Sequence, residues 1–208
     1  MMNRDKSEIE WIFFDLGSTL IDETEAYAHR IRETVDGSSV SVSQFQNAFD
    51  RFSAQGENGY SAAVEAFGLM KTPWHSEDEH PFADCAAVLR ELRQRGYRLG
   101  VIANQQSGTV SRLQNWDLLQ YFDVVAASAE LGAAKPSPEI FLWALEQAHC
   151  RPQDAAMIGD RIDNDILPAK ALGMQTVRIL SGPSARFIPQ NDPADRTIRT
   201  LSDLLTLF

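Results

Sequence analysis

From Phe82 onward the chain alternates short apolar runs with stretches of helical periodicity, and this alternation limits the fold more than any other feature. Residues 85–95 carry helical spacing and end at Gly96, a residue suited to the left-handed turn that closes a helix. Residues 97–103 then read as an apolar strand, 110–119 as a helix and 122–127 as a second strand. Residues 138–149 predict a helix with proline in its first turn. Residues 155–158 predict a strand, 166–172 a helix ended by Gly173, and 175–180 a strand. The tail, 197–205, offers one more short strand and a helical turn. Upstream, Trp11-Ile12-Phe13-Phe14 is apolar at every position, as a strand covered on both faces should be. Strands alternating with helices of this length mean βαβ units. The predicted fold class is therefore α/β, with a doubly wound, Rossmann-like parallel sheet.

One segment breaks the alternation. Residues 23–70 lack strand-like runs. Instead Tyr27, Ile31 and Val35 recur at helical spacing, as do Val42, Phe45, Phe49 and Phe52, and then Ala63, Val64 and Phe67. Glycine-containing stretches at 37–39 and 56–59 punctuate them. Three or four short helices are expected, with the aromatic residues forming their shared core. The polar stretch 71–81 reads as a solvated return linker. Its His75 and His80 have no second His or Cys pair to complete a metal site. The expected organisation is a core of 1–21 and 81–208, with 22–80 as a small helical cap inserted after the first strand.

Composition narrows the partners. The chain has 208 residues, of which 44% are hydrophobic, enough for one sizeable core and a small appended unit. Its net charge of −10 repels nucleic acid and anionic membrane surfaces, so neither is expected as a partner. An anionic substrate would need local positive charge. The two cysteines, Cys85 and Cys150, imply idle thiols in a reducing compartment. No apolar run reaches the roughly 18 residues of a membrane span, and the polar N-terminal stretch lacks a signal-peptide apolar region. A cytoplasmic protein is expected. Nothing in the sequence states its oligomeric state.

The chemistry lies at the strand ends. In an open α/β sheet, ligands bind beyond the carboxyl ends of the strands. Asp15, Asn104, Ser128 and Asp160 fall at or just past such ends, and Lys135 lies in the loop after the third core strand. One crevice can receive all five. Each motif alone is weak, since an Asp before Gly-Ser-Thr is often a turn and Lys-Pro before a helix is common. Their joint order is a stronger signal.

FFDLGSTLIDE, VIANQ, AAKPSPEIF and MIGDRIDNDILPAKALGM resemble the four motifs of the haloacid dehalogenase-like (HAD) hydrolase superfamily, over the whole chain. The helical insert lies where that superfamily carries a C1-type cap. The resemblance implies a magnesium-dependent phosphatase or phosphotransferase acting on a small phosphorylated metabolite. By that resemblance, Asp15 is the nucleophile and a magnesium ligand, and the Gly17 carbonyl is a second ligand. Asp160 holds the metal, with Asp165 beside it. Lys135 bridges nucleophile and phosphoryl oxygens, and the neighbourhoods of Asn104 and Ser18 contact the phosphate. Mutual repulsion of aspartate and phosphate demands such neutralisation.

Two positions depart from the pattern. Most phosphatases that the chain resembles have an aspartate two residues after the nucleophile, which protonates the leaving group. Here Gly17 stands there. The usual hydroxyl residue of the second motif is Ala103. Asp22 and Glu23 are candidate substitute acids, and are also suited to capping the next helix. The competing reading is a catalytically weakened protein that binds a phosphate ligand or a protein partner. Carbon–halogen hydrolysis needs no metal and fits the acidic pair less well. A receiver domain, with an aspartate at a strand end, does not accommodate the insert.

Overall fold

The computed structural model describes residues 9–208; residues 1–8, the start of the expected 1–21 core segment, lie outside them. The strands are β1 (Trp11–Phe14), β2 (Ile21–Asp22), β3 (His80–Pro81), β4 (Arg98–Ala103), β5 (Val124–Ala127), β6 (Ala155–Gly159), β7 (Gln175–Ile179) and β8 (Arg196–Ile198). The α-helices are α1 (Thr24–Val35), α2 (Val42–Ser53), α3 (Gly59–Ala66), α4 (Cys85–Gln94), α5 (Thr109–Asn115), α6 (Ser128–Leu131), α7 (Pro138–Gln147) and α8 (Leu167–Leu172). Six strands form one parallel sheet in the order β5-β4-β1-β6-β7-β8. The predicted α/β parallel architecture is therefore the observed one.

The all-apolar sequence of β1 follows from its place in the middle of this sheet. Ile12 and Phe14 point into one core, with Val88, Leu89 and Leu92 of α4 and with Leu201 and Leu204 near the C-terminus. Trp11 and Phe13 point into a second core, with Ile140, Phe141 and Ala144 of α7 and with Ala169 of α8. Each alternate residue thus has its own apolar neighbours, which is why no polar position survives in the strand. The chain runs from β1 out to β4 and β5 on one side, then returns to β6, β7 and β8 on the other. The crevice where these directions diverge opens at the carboxyl end of β1, next to Asp15.

Helices α1, α2 and α3 have a third core of their own: Ile31, Val35, Phe45, Ala48, Phe49, Tyr60, Ala63 and Val64. Ser41 caps α2 in a reciprocal pair with Gln44. Val42 and Phe67, expected on the buried stripe, are exposed, because each stands at a helix end where the packed face has run out.

The 71–81 stretch corrects the expectation of a solvated linker. Ile21–Asp22 and His80–Pro81 pair antiparallel, forming a two-stranded neck beside the main sheet. Just before it, the Trp74 indole donates to buried Glu79 at 2.7 Å, and Tyr27 packs edge-on against Trp74 at 4.9 Å. His75 stacks on His29 at 3.9 Å and is hydrogen-bonded to Glu33 and Glu77. Cys85 is buried and Cys150 partly so, and both are free thiols. Among the described residues no helix is long and apolar enough to cross a membrane.

Gly100, in β4, faces Phe13 so closely that a Cβ there would stand 2.6 Å from the ring. Gly100→Ala should therefore cost about 1–3 kcal/mol by overpacking, read from urea unfolding. Combining it with Phe13→Leu should give a double variant more stable than the sum of the two single losses predicts.

Candidate active site

Asp15 is the first residue beyond β1, and its N–H donates to the Ile158 carbonyl of β6 at 2.9 Å. This extends the ladder by one bond and fixes the backbone at the strand mouth. Residues 16–21 then fold into a tight turn: the N–H groups of Thr19, Leu20 and Ile21 all donate to the Leu16 carbonyl. Ser18 sits in it with φ of 55°, and its own N–H donates to Ile21.

Lys135 enters from the loop before α7, and its side chain is buried. Its Nζ donates to Asp15 Oδ1 at 2.7 Å and to Asp165 Oδ1 at 2.6 Å. Asn104, just past β4, holds the same loop by exchanging two hydrogen bonds with the Lys135 backbone, at 2.8 and 2.9 Å. Its amide thus positions the lysine, a task the sequence reading did not assign. Asp160 follows β6 directly, and a π-helical turn over Ile162–Ile166 brings Asp165 back over the strand. Gly159 permits that return, since a Cβ there would lie 2.4 Å from Asp165 Oδ2. The same oxygen accepts from the Arg161 N–H at 2.9 Å.

Oxygens of Asp15, Asp160 and Asp165 all lie within 4.8 Å of one another. The Lys135 ammonium stands among these three carboxylates, and burial and mutual charge shift the protonation of Asp160 and Asp165. Burial, then the charges of Asp165 and Asp15, push the Asp160 carboxyl well above the usual range. Burial outweighs the Lys135 charge at Asp165 and raises it to about 6. For Lys135, burial works against the charge, yet Asp15 and Asp165 outweigh it and hold the ammonium above its ordinary value. A hard dication fits this oxygen-only donor set, which matches the coordination magnesium prefers.

Two contacts to Asp160 escaped the sequence reading. Ser184 Oγ donates to Asp160 Oδ2 at 2.5 Å. Arg178, buried in β7, donates to the carbonyls of Asp160, Ser184 and Phe187 and pairs with Asp192 at 2.9 Å. An arginine in a strand carries no local signal of such a network; only the folded loop 181–192 reveals it.

The candidates at the first motif separate. Asp22 Oδ1 accepts from the Thr24 N–H at 2.9 Å, so it caps the start of α1 and lines a second cavity instead. Glu23 caps nothing. Its Oε2 accepts from Ser18 Oγ at 2.7 Å, which gives the Ser18 hydroxyl a partner within the chain. Burial raises the Glu23 carboxyl to about 8; the Ser18 hydrogen bond opposes this and the Asp15 charge adds to it. A cavity of about 360 Å³ joins Asp15, Gly17, Glu23, Lys135 and Asp160 to Tyr27, Phe49 and Tyr60 of the helical insert. Asn104 also lines it, whereas Ser128 is held at the Gln105 backbone.

Against known proteins, residues 12–179 match the model of the haloacid dehalogenase-like hydrolase family. A glyceraldehyde 3-phosphate phosphatase from Pyrococcus abyssi is 33% identical over 81% of this chain and 80% of its own length. The chain belongs to the haloacid dehalogenase-like hydrolase family. It spans about half the length of two other relatives it matches, the glyceraldehyde 3-phosphate phosphatases of Methanocaldococcus jannaschii (34% identical, 61% of this chain and 56% of that protein) and Methanopyrus kandleri (36% identical, 54% and 48%). A pyrophosphatase PpaX from Bacillus cereus is 26% identical over 96% of both chains. The crystal structure of a HAD phosphatase from Thermococcus onnurineus superposes with a TM-score of 0.68 at 25% identity, covering 96% of this chain and 97% of that one.

Removing the Lys135 ammonium exposes the charge imbalance directly. Lys135→Met should destabilise the metal-free protein by about 3–5 kcal/mol at pH 7.5, because buried carboxylates lose their partner. Asp165 already sits near pH 6 and rises further without the lysine. A carboxylate with a raised folded-state pKa is stable while protonated and loses stability as pH rises through that pKa. The deficit should therefore shrink toward pH 5, measured by guanidinium unfolding across that range.

Proposed function

We propose that the protein is a magnesium-dependent phosphatase, or a related phosphotransferase, acting on a small phosphorylated metabolite through an aspartyl-phosphate on Asp15. The observation that carries this reading is the Lys135 ammonium held between Asp15 and Asp165, with Asp160 beside them, at a cavity between the strand ends and the helical insert. Asp15, the Gly17 carbonyl and Asp160 would hold the magnesium ion. When bound, it neutralises phosphoryl oxygens and draws charge from phosphorus.

The remaining work falls to the chain. Asp15, fixed at the mouth of β1, supplies the attacking carboxylate oxygen. Lys135 keeps that carboxylate oriented and offers positive charge to the incoming phosphoryl group. Asp165 holds the lysine from behind, and the two Asn104 hydrogen bonds fix its loop. Splitting transfer into formation and hydrolysis of an acyl phosphate replaces one difficult step by two easier ones. We assign 22–80 as a C1-type cap and 1–21 with 81–208 as the core. Tyr27, Phe49 and Tyr60 then cover the site, exclude water and set the size of the substrate. The two free thiols support a reducing, cytoplasmic setting.

The relatives named as phosphatases of glyceraldehyde 3-phosphate support a small phosphorylated substrate. A panel of sugar, polyol and aryl phosphates, assayed with and without magnesium, tests the reading. Turnover should require magnesium and fall at least 10³-fold in Asp15→Asn, since a neutral amide is not a nucleophile toward phosphorus. No turnover of any ester, with a phosphate analogue still bound, would establish the alternative: a phosphate-binding protein without catalysis.

A further inference from the structure

We propose that Glu23 is the residue that moves the proton in this site, its carboxylate occupying the space left by the missing side chain of Gly17. The inference rests on the phosphatase reading and adds a residue to it. A Cβ built on Gly17 would stand 2.4 Å from Glu23 Oε1, 2.9 Å from its Cδ and 3.1 Å from Oε2. Gly17 is outside the left-handed region, so room for Glu23, and not backbone conformation, is what calls for glycine. The carboxylate is also oriented. Ser18 Oγ holds Oε2, and Oε1 is the oxygen turned over Gly17. The helix that carries Glu23 does not need it as a cap, because Asp22 does that work.

Elimination leads to the same residue. An alkoxide leaving from phosphorus needs a proton donor, and the donor must face the cavity that holds Asp15. Asp15, Asp160, Asp165 and Lys135 are committed to the charge cluster. Asp163 is exposed and paired with Arg161, and Glu57 is exposed on the insert. Burial drives the Tyr27 hydroxyl further from proton donation, and the Tyr60 hydroxyl is engaged by Thr34 and Thr72. Glu23 is the remaining acid among the described residues lining the cavity.

In the first step an Asp15 oxygen forms a bond to phosphorus as the bond to the ester oxygen breaks. That oxygen leaves with its electron pair and takes the proton of the Glu23 carboxyl. In the second step the Glu23 carboxylate takes a proton from water as the water oxygen bonds to phosphorus. The Asp15 carboxylate departs, and Glu23 is protonated again for the next turnover.

The test compares kcat/KM for nitrophenyl phosphate, whose leaving group needs no proton, with the best alkyl phosphate of the panel. Glu23→Gln should lower the alkyl value by about 10²-fold or more and leave the aryl value within about fivefold. Its aryl kcat should fall, with a burst of nitrophenol, because hydrolysis of the acyl phosphate also needs Glu23. Gly17→Asp alone should lose activity through collision with Glu23. Gly17→Asp combined with Glu23→Ala should recover alkyl turnover above either single variant. Three results would overturn the assignment: an unchanged alkyl rate in Glu23→Gln, an equal loss for both esters, or a double variant no better than Glu23→Ala. Aryl turnover by the parent without any alkyl turnover would also overturn it. Absence of aryl turnover in the parent is the separate failure of the phosphatase reading, and this inference falls with it.

Discussion

A single buried ammonium shared by two carboxylates organises the centre of this protein. Lys135 lies 2.7 Å from Asp15 and 2.6 Å from Asp165, and its charge offsets the repulsion between them. Three chain segments distant in sequence are tied at that point: the end of β1, the loop before α7 and the turn after β6. Buried ion pairs are poor evidence of stability, since desolvation consumes most of the attraction. What this one supplies is placement. The lysine is held by its ammonium from two sides and by its backbone through Asn104, so it has little freedom to lie elsewhere.

The sheet makes this geometry possible. Two apolar cores, one on each face, clamp β1 from both sides, and the strand order reverses direction beside it. In β1 polar residues are thereby kept out of the strand, and Asp15, the first residue past it, opens onto the crevice. The helical insert, with a separate core of its own, contributes aromatic walls to the cavity and, through the first residues leading into α1, the carboxylate of Glu23. Two glycines beside the site make room for a carboxylate, Gly159 for Asp165 and Gly17 for Glu23. Gly182, where a Cβ would lie 2.2 Å from the Ser18 hydroxyl, also has a φ of 57° that favours glycine.

Much of this was legible in the sequence, for identifiable reasons. The continuous apolar runs marked the central strands because both faces are buried, and the charged residues of the site stood out because they followed those runs. The alternation failed where local pattern carries no information. The neck between Ile21–Asp22 and His80–Pro81 contains proline and polar residues, and its pairing depends on segments nearly 60 positions apart. Arg178 reads as an ordinary strand residue, yet it fastens the loop that brings Ser184 to Asp160. Asp22 and Glu23 are adjacent and chemically alike. Only the direction each side chain takes, one toward the helix N–H groups and one over Gly17, separates a cap from a group in the cavity.

The central proposal is that the Asp15, Asp160 and Asp165 carboxylates, gathered around the Lys135 ammonium, form a site for a divalent cation. Thermal unfolding of the parent and of Asp160→Asn, with and without magnesium, measures it most directly. The account predicts that magnesium raises the melting temperature of the parent, that Asp160→Asn is the more stable protein without magnesium, and that magnesium barely shifts the variant. A parent indifferent to magnesium, or an Asp160→Asn variant that is less stable than the parent without it and still responds to it, would contradict the account.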